Sequence, residues 1–478
     1  MNRNIEDRLR VALAAKANTV TEWDLQPGLL PQGGNFPTLT RRIRRMLMWG
    51  APIFAAASLS GLAFAGALTS TQHHAAPSVP TTSTGSTPPN MTGPTGPAPS
   101  PGATQPAGTT TSTAPGTSAA LPALPPGGPV PAGFQPASVT FVSPTFGYVL
   151  GEPASCAAAP CTSMARTTDR GAHWIGVPAP RATLVIPSAA TSAGPTSVSV
   201  VRFADEYNGW AYGPGLWVTH DGARTWQHVD VGGQVLALET AGGRVDAIVN
   251  SCQVSSRCPG GPIRLMSSPV DRDLFALAAS GPSGLSSPSG GGSLTLHPPV
   301  GFAILGQMSN SGTQRSTIVA TDGGKWDGFP DPCQAVADSS LSSFVAPDAT
   351  SLLSLCTGSG AAGSTGKTVV LTQNGKSTAL GNPPLGGDGG LIAANGMSTI
   401  LVAARSGDDF LYRSTDSGRT WTTMQFHDGG IGLTDLGFTT SSQAIVIQGQ
   451  APVAGSDNSS AQLLMTIDAG ATWHQVNF

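Results

Sequence analysis

One short pattern, repeated along the chain, constrains the fold more than any other feature. Each clear copy, which we call a box, has Asp at its third position and ends in Trp. Two weaker copies, around Ser267 (SSPVDRDL) and around Thr372 (TQNGKSTA), fill the gaps, so the copies recur at roughly fifty-residue intervals. A period of about 40–50 residues with short strands is typical of propeller blades. The five clear copies are TTDRGAHW at Thr167–Trp174, THDGARTW at Thr219–Trp226, ATDGGKW at Ala320–Trp326, STDSGRTW at Ser414–Trp421 and TIDAGATW at Thr466–Trp473.

Each repeat also contains apolar segments that precede its box. Phe141–Gly151 aligns with Phe203–Gly213, and each indicates a strand, a turn and a second strand. A third strand such as Asp409–Ser414 leads into the box, and a fourth leaves it with Trp. Four strands per repeat and seven repeats predict an all-β fold, a seven-bladed β-propeller of four-stranded antiparallel blades over residues 137–478.

The residue types of the box predict a structural turn. The opening Ser or Thr and the following Asp can bond backbone N–H groups of their own turn, and Gly supplies a positive φ. The closing Trp is a large apolar side chain that can pack between adjacent sheets. We therefore assign the box no catalytic, cofactor-binding or metal-binding role. Its residues are Thr167, Asp169, Gly171, Trp174, Thr219, Asp221, Trp226, Asp322, Gly324, Trp326, Ser414, Asp416, Gly418, Trp421, Thr466, Asp468, Gly470 and Trp473.

The S/T-x-D-x-G-x-T-W pattern resembles the Asp-box (BNR) repeat of sialidases, sortilin-type receptors and the photosystem II assembly-factor-like propellers of bacteria. Its pairing with an F-x-x-x-x-x-G-W/Y-x-x-G strand pair most resembles the last, non-enzymatic group. The resemblance covers roughly residues 137–478. It implies that ligands bind in the central channel or on the face opposite the boxes, where the loops between second and third strands lie. It implies no activity, because the same turn occurs in proteins of unrelated function.

The sialidase family provides a test of catalysis. That family uses three arginines, a Tyr activated by Glu, an Asp acid and an Arg-Ile-Pro signature, and the signature is absent here. The chain's tyrosines lie in or beside the repeated strands, and the candidate arginines flank strands at unrelated positions. The nearest approach to a phosphate loop, Gly360–Thr368, has its outer glycines one residue too far apart, so a flexible loop is the simpler interpretation. The tyrosines and the candidate arginines of the sialidase comparison are Tyr148, Tyr207, Tyr212, Tyr412, Arg166, Arg202, Arg264 and Arg413.

The segment before the repeats predicts a membrane anchor. Met46–Leu68 is uncharged, mostly apolar and about one membrane thickness long, and four arginines precede it between Arg41 and Arg45. The positive-inside rule then leaves residues 1–45 in the cytoplasm and exports the propeller to the extracellular side of the cell membrane. The alternative is a cleavable signal peptide, with Ala63–Ala65 as a cleavage site.

Two further N-terminal segments differ in composition. Ile5–Ala17 has apolar residues at helical spacing and predicts a short amphipathic helix. It could contact a cytoplasmic partner or the inner leaflet, and a solvated, marginally stable helix is the alternative. Residues 69–136 are rich in Pro, Thr, Ser and Gly without charged side chains, which predicts a disordered stalk.

The cysteines lie only in the part that is predicted to be exported. Their number is six, and an even number in that compartment favours disulfides. Zinc is the alternative, but no pair has C-x-x-C spacing and no His lies among them. The predicted pairs are Cys156–Cys161, Cys252–Cys258 and, by elimination, Cys333–Cys356, which would join the end of blade four to blade five.

The composition of the chain disfavours one class of partner. A net charge of −3 with 11% charged residues provides no basic face, which disfavours nucleic acid as a partner. No cofactor motif is present. We expect a membrane-anchored, non-catalytic scaffold whose propeller face binds a protein or cell-envelope component. A transmembrane sensor that signals to a cytoplasmic regulator is one alternative, and a sialidase-like glycoside hydrolase is the least supported.

Overall fold

The computed structural model describes residues 123–154, 160–185, 194–251, 263–278, 292–308, 314–321, 326–361, 363–449 and 460–478. The predicted cytoplasmic tail, the anchor at 46–68 and most of the stalk lie outside these ranges. Within the ranges, no helix has the length and apolar content that a membrane span needs.

Seven four-stranded antiparallel sheets make up the described chain, and each uses four strands that follow one another in sequence. The predicted seven-bladed propeller is therefore confirmed. In chain order the strands are β1 Gln135–Phe141, β2 Gly147–Glu152, β3 Ser163–Thr167, β4 Ile175–Val177, β5 Val200–Phe203, β6 Gly209–Tyr212, β7 Leu216–Thr219, β8 Gln227–His228, β9 Gln234–Ala241, β10 Arg244–Asn250, β11 Ile263–Pro269, β12 Ala276–Leu277, β13 Gly292–His297, β14 Val300–Met308, β15 Gln314–Thr321, β16 Trp326–Phe329, β17 Ser339–Asp348, β18 Ser351–Ala361, β19 Ser364–Gln373, β20 Lys376–Gly381, β21 Asp388–Asn395, β22 Thr399–Arg405, β23 Asp409–Ser414, β24 Thr422–Phe426, β25 Leu433–Phe438, β26 Ala444–Gln448, β27 Gln462–Thr466 and β28 His474–Gln475.

The first strand of each blade lies innermost. From β1 to β25 these strands contact one another in succession, and they line the axis of the ring. These strands are buried on both faces, so neighbouring residues along them can both be apolar. An example is the pair Val200 and Val201 at the start of β5. The outer strands are short and exposed, for example β8 and β28.

Side-chain oxygens at irregularities of the inner strands join neighbouring blades. Ser138 Oγ accepts a hydrogen bond from Val201 N of the next blade at 3.2 Å. Ser343 Oγ accepts from Ile392 N at the same distance of 3.2 Å. Both serines lie where the pairing register of their strand shifts by one residue. A β-bulge turns a side chain out of the regular alternation, and here it directs an acceptor to the adjacent sheet.

The ring closes between blade seven (β25–β28) and blade one (β1–β4), which share no strand. Apolar side chains pack across this seam, among them Phe141 and Trp174 from blade one and Leu463 from blade seven. Two hydrogen bonds also cross it. Val139 N donates to Asp435 Oδ2 at 2.7 Å, and Ala461 N donates to the Gln135 side chain at 2.6 Å. The seam therefore depends on side chains rather than on a backbone ladder.

The four described boxes adopt one turn, as their composition predicts. In the last of them, Thr466 Oγ1 donates to Asp468 Oδ1 at 2.7 Å and accepts from Gly470 N at 2.9 Å. The other carboxylate oxygen accepts from Thr472 Oγ1 at 2.6 Å. The boxes that begin at Thr167, Thr219 and Ser414 repeat this arrangement, with His173 in place of the Thr in the first.

Two features of the box turn are not evident from its sequence. The residue before the box Gly also has positive φ, for example Arg170 at 67° and Ala469 at 58°. The N–H of that residue donates to the carbonyl of the turn that joins the first two strands of the same blade. Arg170 N reaches Thr145 O at 2.9 Å, and Ala469 N reaches Ser442 O at 2.7 Å. Each box thus ties the outer half of its blade to the inner half.

The degenerate repeats use other turns. In blade five, Asn374 and Gly375 have φ of 53° and 71° and form a two-residue hairpin. In blade three, Ser268 Oγ accepts from Leu274 N at 3.0 Å and donates to Arg272 O at 2.7 Å. In the second box Ala223 occupies the Gly position with φ 68°, which places a Cβ in the left-handed region. Asp322 and Gly324 lie outside the described residues.

The box tryptophans pack between blades to different depths. Trp174 and Trp326 are buried, whereas Trp226, Trp421 and Trp473 are half-buried. Trp174 lies in the seam against Phe141 and Phe478. Each Trp lies between two sheets, as expected. In three of the five cases, however, the side chain is only half-buried.

Residues 123–136, assigned above to the stalk, lie against the propeller. Gly128 and Gly176 exchange two backbone hydrogen bonds of 2.8 Å, and Arg166 donates to Pro125 O at 2.8 Å. Leu124 packs between blades one and two, and Phe134 is buried in the seam. Overall composition did not predict this contact, because it rests on two apolar side chains within a Pro- and Gly-rich run.

One predicted disulfide is confirmed. Cys333, in a short 3-10 helix Pro332–Ala335 after blade four, is bonded to Cys356 of β18 in blade five. This excludes zinc at that pair. Cys161 is also disulfide-bonded. Cys156, Cys252 and Cys258 lie outside the described residues, so the other two pairings stay predictions.

We expect Trp174→Ala to destabilise the protein by about 3–5 kcal/mol, because it removes a buried ring from the seam that closes the propeller. Trp421→Ala should cost less, since that ring is half-exposed. Both indoles donate to the box Gly carbonyl, so the pair differs mainly in burial. Denaturant unfolding monitored by circular dichroism measures the two losses. Equal losses would contradict the assignment of Trp174 to a closing role.

Candidate functional site

The box turns lie on one face of the propeller, together with the turns between first and second strands. The opposite face, which we call the loop face, carries the turns between second and third strands and the links between blades. Several of its turns contain undescribed residues, but the stretch from β18 to β25 is described except for residue 362. The candidate site lies in this stretch, on blades five to seven.

A buried lysine supports the link between blades five and six. Lys367, in β19, is 1% exposed, and its ammonium group, which has three N–H donors, lies within hydrogen-bonding distance of four carbonyl oxygens. The acceptors are the carbonyls of Thr365 at 3.0 Å, Leu385 at 3.1 Å, Gly386 at 3.0 Å and Gly387 at 2.8 Å. Burial lowers the pKa of Lys367 to about 8, so the amine still carries its proton at neutral pH.

This arrangement corrects the interpretation of Gly360–Thr368 as a flexible loop. Its described residues belong mainly to β18 and β19, and Thr365 N donates to Gly387 O at 3.4 Å. The lysine that would contact a phosphate in a phosphate loop is bonded to the link instead. The segment is therefore an ordered hairpin end.

The link between blades six and seven is held by two carboxyl groups. Asp409 is fully buried, and its Oδ2 accepts from Gly432 N at 2.7 Å. Asp428 accepts from Gly430 N at 2.9 Å and from the Gln448 side chain at 2.6 Å. Burial, together with the hydrogen bond to Asp428, raises the pKa of Asp409 to about 7. Arg405 adds a hydrogen bond to Gly430 O at 2.6 Å.

The exposed and half-buried side chains around these two links form what we call the corner, defined by Leu385, Arg405, Asp408, His427 and Asp428. The Leu385 side chain is 65% exposed, and the side chain of His427 is 79% exposed. His427 Nδ1 lies 3.2 Å from an Asp408 oxygen that also accepts from Gln425. The corner thus combines an exposed apolar side chain with polar groups on a backbone that buried bonds hold in place.

The propeller axis carries a buried charge cluster, which we call the axial cluster. Arg202 of β5 donates to Glu239 of β9 at 3.2 Å, and its Nη2 lies 3.9 Å from Asp435 of β25. All three side chains are less than 5% exposed. Burial raises the pKa of Glu239 to about 7. The cluster joins blades two, three and seven at the axis, so these three charged side chains hold inner strands together.

Most of the candidate tyrosines are hydrogen-bonded to backbone groups. Three of the four donate their hydroxyl groups to backbone carbonyls. Burial raises the pKa of each of these three, to about 12 for Tyr412, which disfavours the ionised form of the hydroxyl. The bonds run from Tyr148 to Glu206 at 2.8 Å, from Tyr212 to Leu238 at 3.2 Å and from Tyr412 to Gly386 at 2.5 Å.

The candidate arginines do not converge on one ligand position. Arg202 belongs to the axial cluster, whereas the other three donate to backbone carbonyls in different blades or links. Among the described residues, no group of three or more His, Cys, Asp and Glu side chains is placed to hold a metal ion. The three carbonyl bonds run from Arg166 to Pro125, from Arg264 to Val231 and from Arg413 to Ala469.

The sequence contained only a weak signal for these groups. Arg202, Glu239 and Asp435 are charged residues inside otherwise apolar inner strands, which marks them as buried and paired. Nothing in the sequence shows that they meet, because Arg202 and Asp435 are separated by most of the propeller. Lys367 was recognisable only as one of few lysines in the repeats.

Comparison with known proteins gave structural similarities alone: no family model matches the chain, and no curated protein matches it. YCF48 bound to D1 peptide is 14% identical with a TM-score of 0.46, over 73% of this chain and 99% of that chain. YCF48 from Cyanidioschyzon merolae is 15% identical with a TM-score of 0.46, over 72% and 98%. The β-propeller domain of the trilobed protease from Pyrococcus furiosus is 6% identical with a TM-score of 0.42, over 72% and 98%. Similarities at this level do not bear on what the chain binds.

We expect Lys367→Met to lower the free energy of unfolding by about 2 kcal/mol or more, because carbonyls that accepted from a charged group lose their donor. Lys376→Met is the matched control, since Lys376 is exposed on the outer strand of the same blade and its loss should change stability by less than about 0.5 kcal/mol. Denaturant unfolding measures both values. Equal effects would show that the four carbonyl bonds contribute nothing net.

Proposed function

We propose that the chain is a membrane-anchored, exported, non-catalytic scaffold that binds a protein or cell-envelope component at the corner of the loop face. The observation that carries this proposal is the contrast between the two layers of the corner. Its backbone is held from below by Lys367 and Asp409, while Leu385 and His427 remain exposed. A surface ordered before binding loses little entropy when a partner docks.

The proposal that the chain is non-catalytic is supported by the structural bonds that its tyrosine and arginine side chains make. Tyr148, Tyr212 and Tyr412 donate to backbone carbonyls. Arg202 is ion-paired with Glu239 in the axial cluster. A sialidase-like site would need such groups to meet at one open position. The pairing of the box with the F-x-x-x-x-x-G-W/Y-x-x-G strand pair, which most resembles the non-enzymatic group, supports the same assignment.

The anchoring part rests on sequence. The apolar segment Met46–Leu68 and the arginines before it support a single-pass anchor with a cytoplasmic N-terminus. The confirmed disulfide between Cys333 and Cys356 supports export to an oxidising compartment.

Cross-linking and affinity capture of the full-length protein from native membranes test the proposal. We expect to capture a partner that the Leu385→Glu variant no longer binds, because a charge in the corner would have to be desolvated on binding. Leu277→Glu is the matched control, since Leu277 is 60% exposed on the outer strand of blade three, away from the corner. Loss of the partner with both variants, or with neither, would contradict binding at the corner.

A transmembrane sensor is the second candidate, and the helical spacing of Ile5–Ala17 favours it. Deletion of residues 1–40 separates the two functions. A scaffold should keep its exported partner with the anchor alone, whereas a sensor should lose a cytoplasmic partner. Turnover of fluorogenic glycosides by the purified protein would instead support the least favoured candidate, a glycoside hydrolase.

A further inference from the structure

Residues 123–130, which we call the strap, lie in a groove between blades one and two, beside the second box. Two arginines of the propeller hold the strap by its backbone. Arg224 of the box donates to Ala123 O, and the buried Arg166 of β3 donates to Pro125 O at 2.8 Å. The two acceptors are alternate carbonyls along the strap, so this contact reads the path of the backbone and not the identity of a side chain.

One side chain anchors the strap in the groove. Leu124 packs against the apolar cluster between blades one and two, which includes Ala223 of the second box. Leu124 is half-buried and Pro125 is buried, whereas residues 126–129 are exposed. The anchor is therefore a Leu-Pro pair, and a segment with so little buried surface can open locally without unfolding of the propeller.

The second box is altered at the point where the strap docks. Its fourth residue is Gly222 and its fifth is Ala223, whereas the other three described boxes have a side chain at the fourth position and Gly at the fifth. A Cβ at Gly222 would overlap Leu124 Cδ2. The turn itself does not require Gly there, because Ala469 has the same position in the last box with φ 58°. The altered order therefore makes room for the Leu side chain.

The outer edge of blade one forms the other half of the groove. Gly128 and Gly176 exchange two backbone hydrogen bonds of 2.8 Å, so the strap adds to β4 in the antiparallel direction. A Cβ at Gly176 would lie 2.6 Å from Pro129 O, so a larger residue in β4 would keep the strap at a distance. Addition of an extended segment to a sheet edge, with a pocket for single side chains, is a recurring mode of peptide recognition.

The groove is wider than the strap. A cavity of about 590 Å³ lies alongside it, between Pro126 and Pro129 of the strap, Met164 and Val177 of blade one, and Arg224. A segment with side chains larger than Gly and Pro after its Leu-Pro pair would therefore also fit. The shape of the groove selects the Leu-Pro pair and tolerates variation beyond it.

We propose that this groove, which is defined by Arg166, Gly176, Gly222, Ala223 and Arg224, is a peptide-binding site that the strap occupies in place of a partner's segment. The partner's segment is extended and has a Leu-Pro pair with Gly three residues after the Pro. Its carbonyl before the Leu accepts from Arg224, and the carbonyl of its Pro accepts from Arg166. The strap competes from within the chain, since a tethered segment has an effective concentration on the order of millimolar. The site is separate from the corner and does not depend on it.

A labelled synthetic peptide with the sequence of residues 121–130 (LPALPPGGPV) tests the proposal by fluorescence anisotropy on the full-length chain. In the chain, Leu124→Asp removes the anchor of the strap and leaves the groove unchanged. We expect this variant to bind the peptide at least about tenfold more tightly than the unmodified chain does, because the strap no longer competes. A peptide with Asp in place of its second Leu should bind neither chain. Equal binding of the first peptide to both chains, or binding to neither, would overturn the proposal.

The groove has its own test in the Leu124→Asp chain. Addition of Gly222→Ala puts a methyl group where the Leu of the peptide inserts, and Ala469 shows that this position of the turn accepts Ala. The affinity for the peptide should fall about tenfold or more, as for the loss of a well-packed apolar anchor. An undiminished affinity would contradict the assignment of the groove. Leu277→Asp is the matched control for Leu124→Asp, since Leu277 is exposed on blade three, and it should bind the peptide no better than the unmodified chain.

The unmodified chain provides a measurement that needs no variant to fold. Millimolar unlabelled peptide should displace the strap and raise hydrogen exchange at Gly128, whose N–H donates to Gly176 O in the closed state. Exchange at the seam, in β1 and β25, should stay the same. Unchanged exchange at Gly128 would show that the strap is a fixed part of the propeller, and it would overturn the proposal.

Discussion

Closure of the ring between blade seven and blade one is the contact on which the arrangement of all other blades depends. Each blade packs on the next along its inner strand, so an open seam would leave two apolar sheet faces in water. Here the closing contact consists of packed side chains such as Trp174 and Leu463, with single hydrogen bonds from Val139 and Ala461. The backbone ladder that holds each blade together does not extend across the seam.

The two links beneath the corner of the loop face are held in the same way. Buried charges act on backbone groups of the links between blades: Lys367 binds the carbonyls of one link, and Asp409 accepts the amide of the next. Charge-assisted hydrogen bonds to the backbone are strong and directional, so links that are rich in glycine can keep a defined path. These buried groups therefore also fix the backbone that carries the exposed residues of the corner.

The architecture was predictable from the sequence because its signal is local and repeated. The box contains its own hydrogen-bonding partners within eight residues, so Thr466, Asp468 and Gly470 predict their turn without knowledge of the rest of the chain. The axial cluster was not predictable, because Arg202 and Asp435 come from distant repeats and single charged residues do not show which partner they meet. The packing of residues 123–136 was missed for a related reason: composition averages over Leu124 and Phe134, which provide the contact.

Every blade is built from four strands that are consecutive in sequence, and each of the four described boxes ties the two halves of its own blade together. One genetic repeat is therefore one structural unit, with its cut points in the links and not inside a sheet. In a ring whose ends interleave within one blade, duplication of a repeat must break and re-form that shared sheet. In this chain, a duplication or loss between two links would add or remove a whole wedge, and the same two faces would still have to meet at the seam.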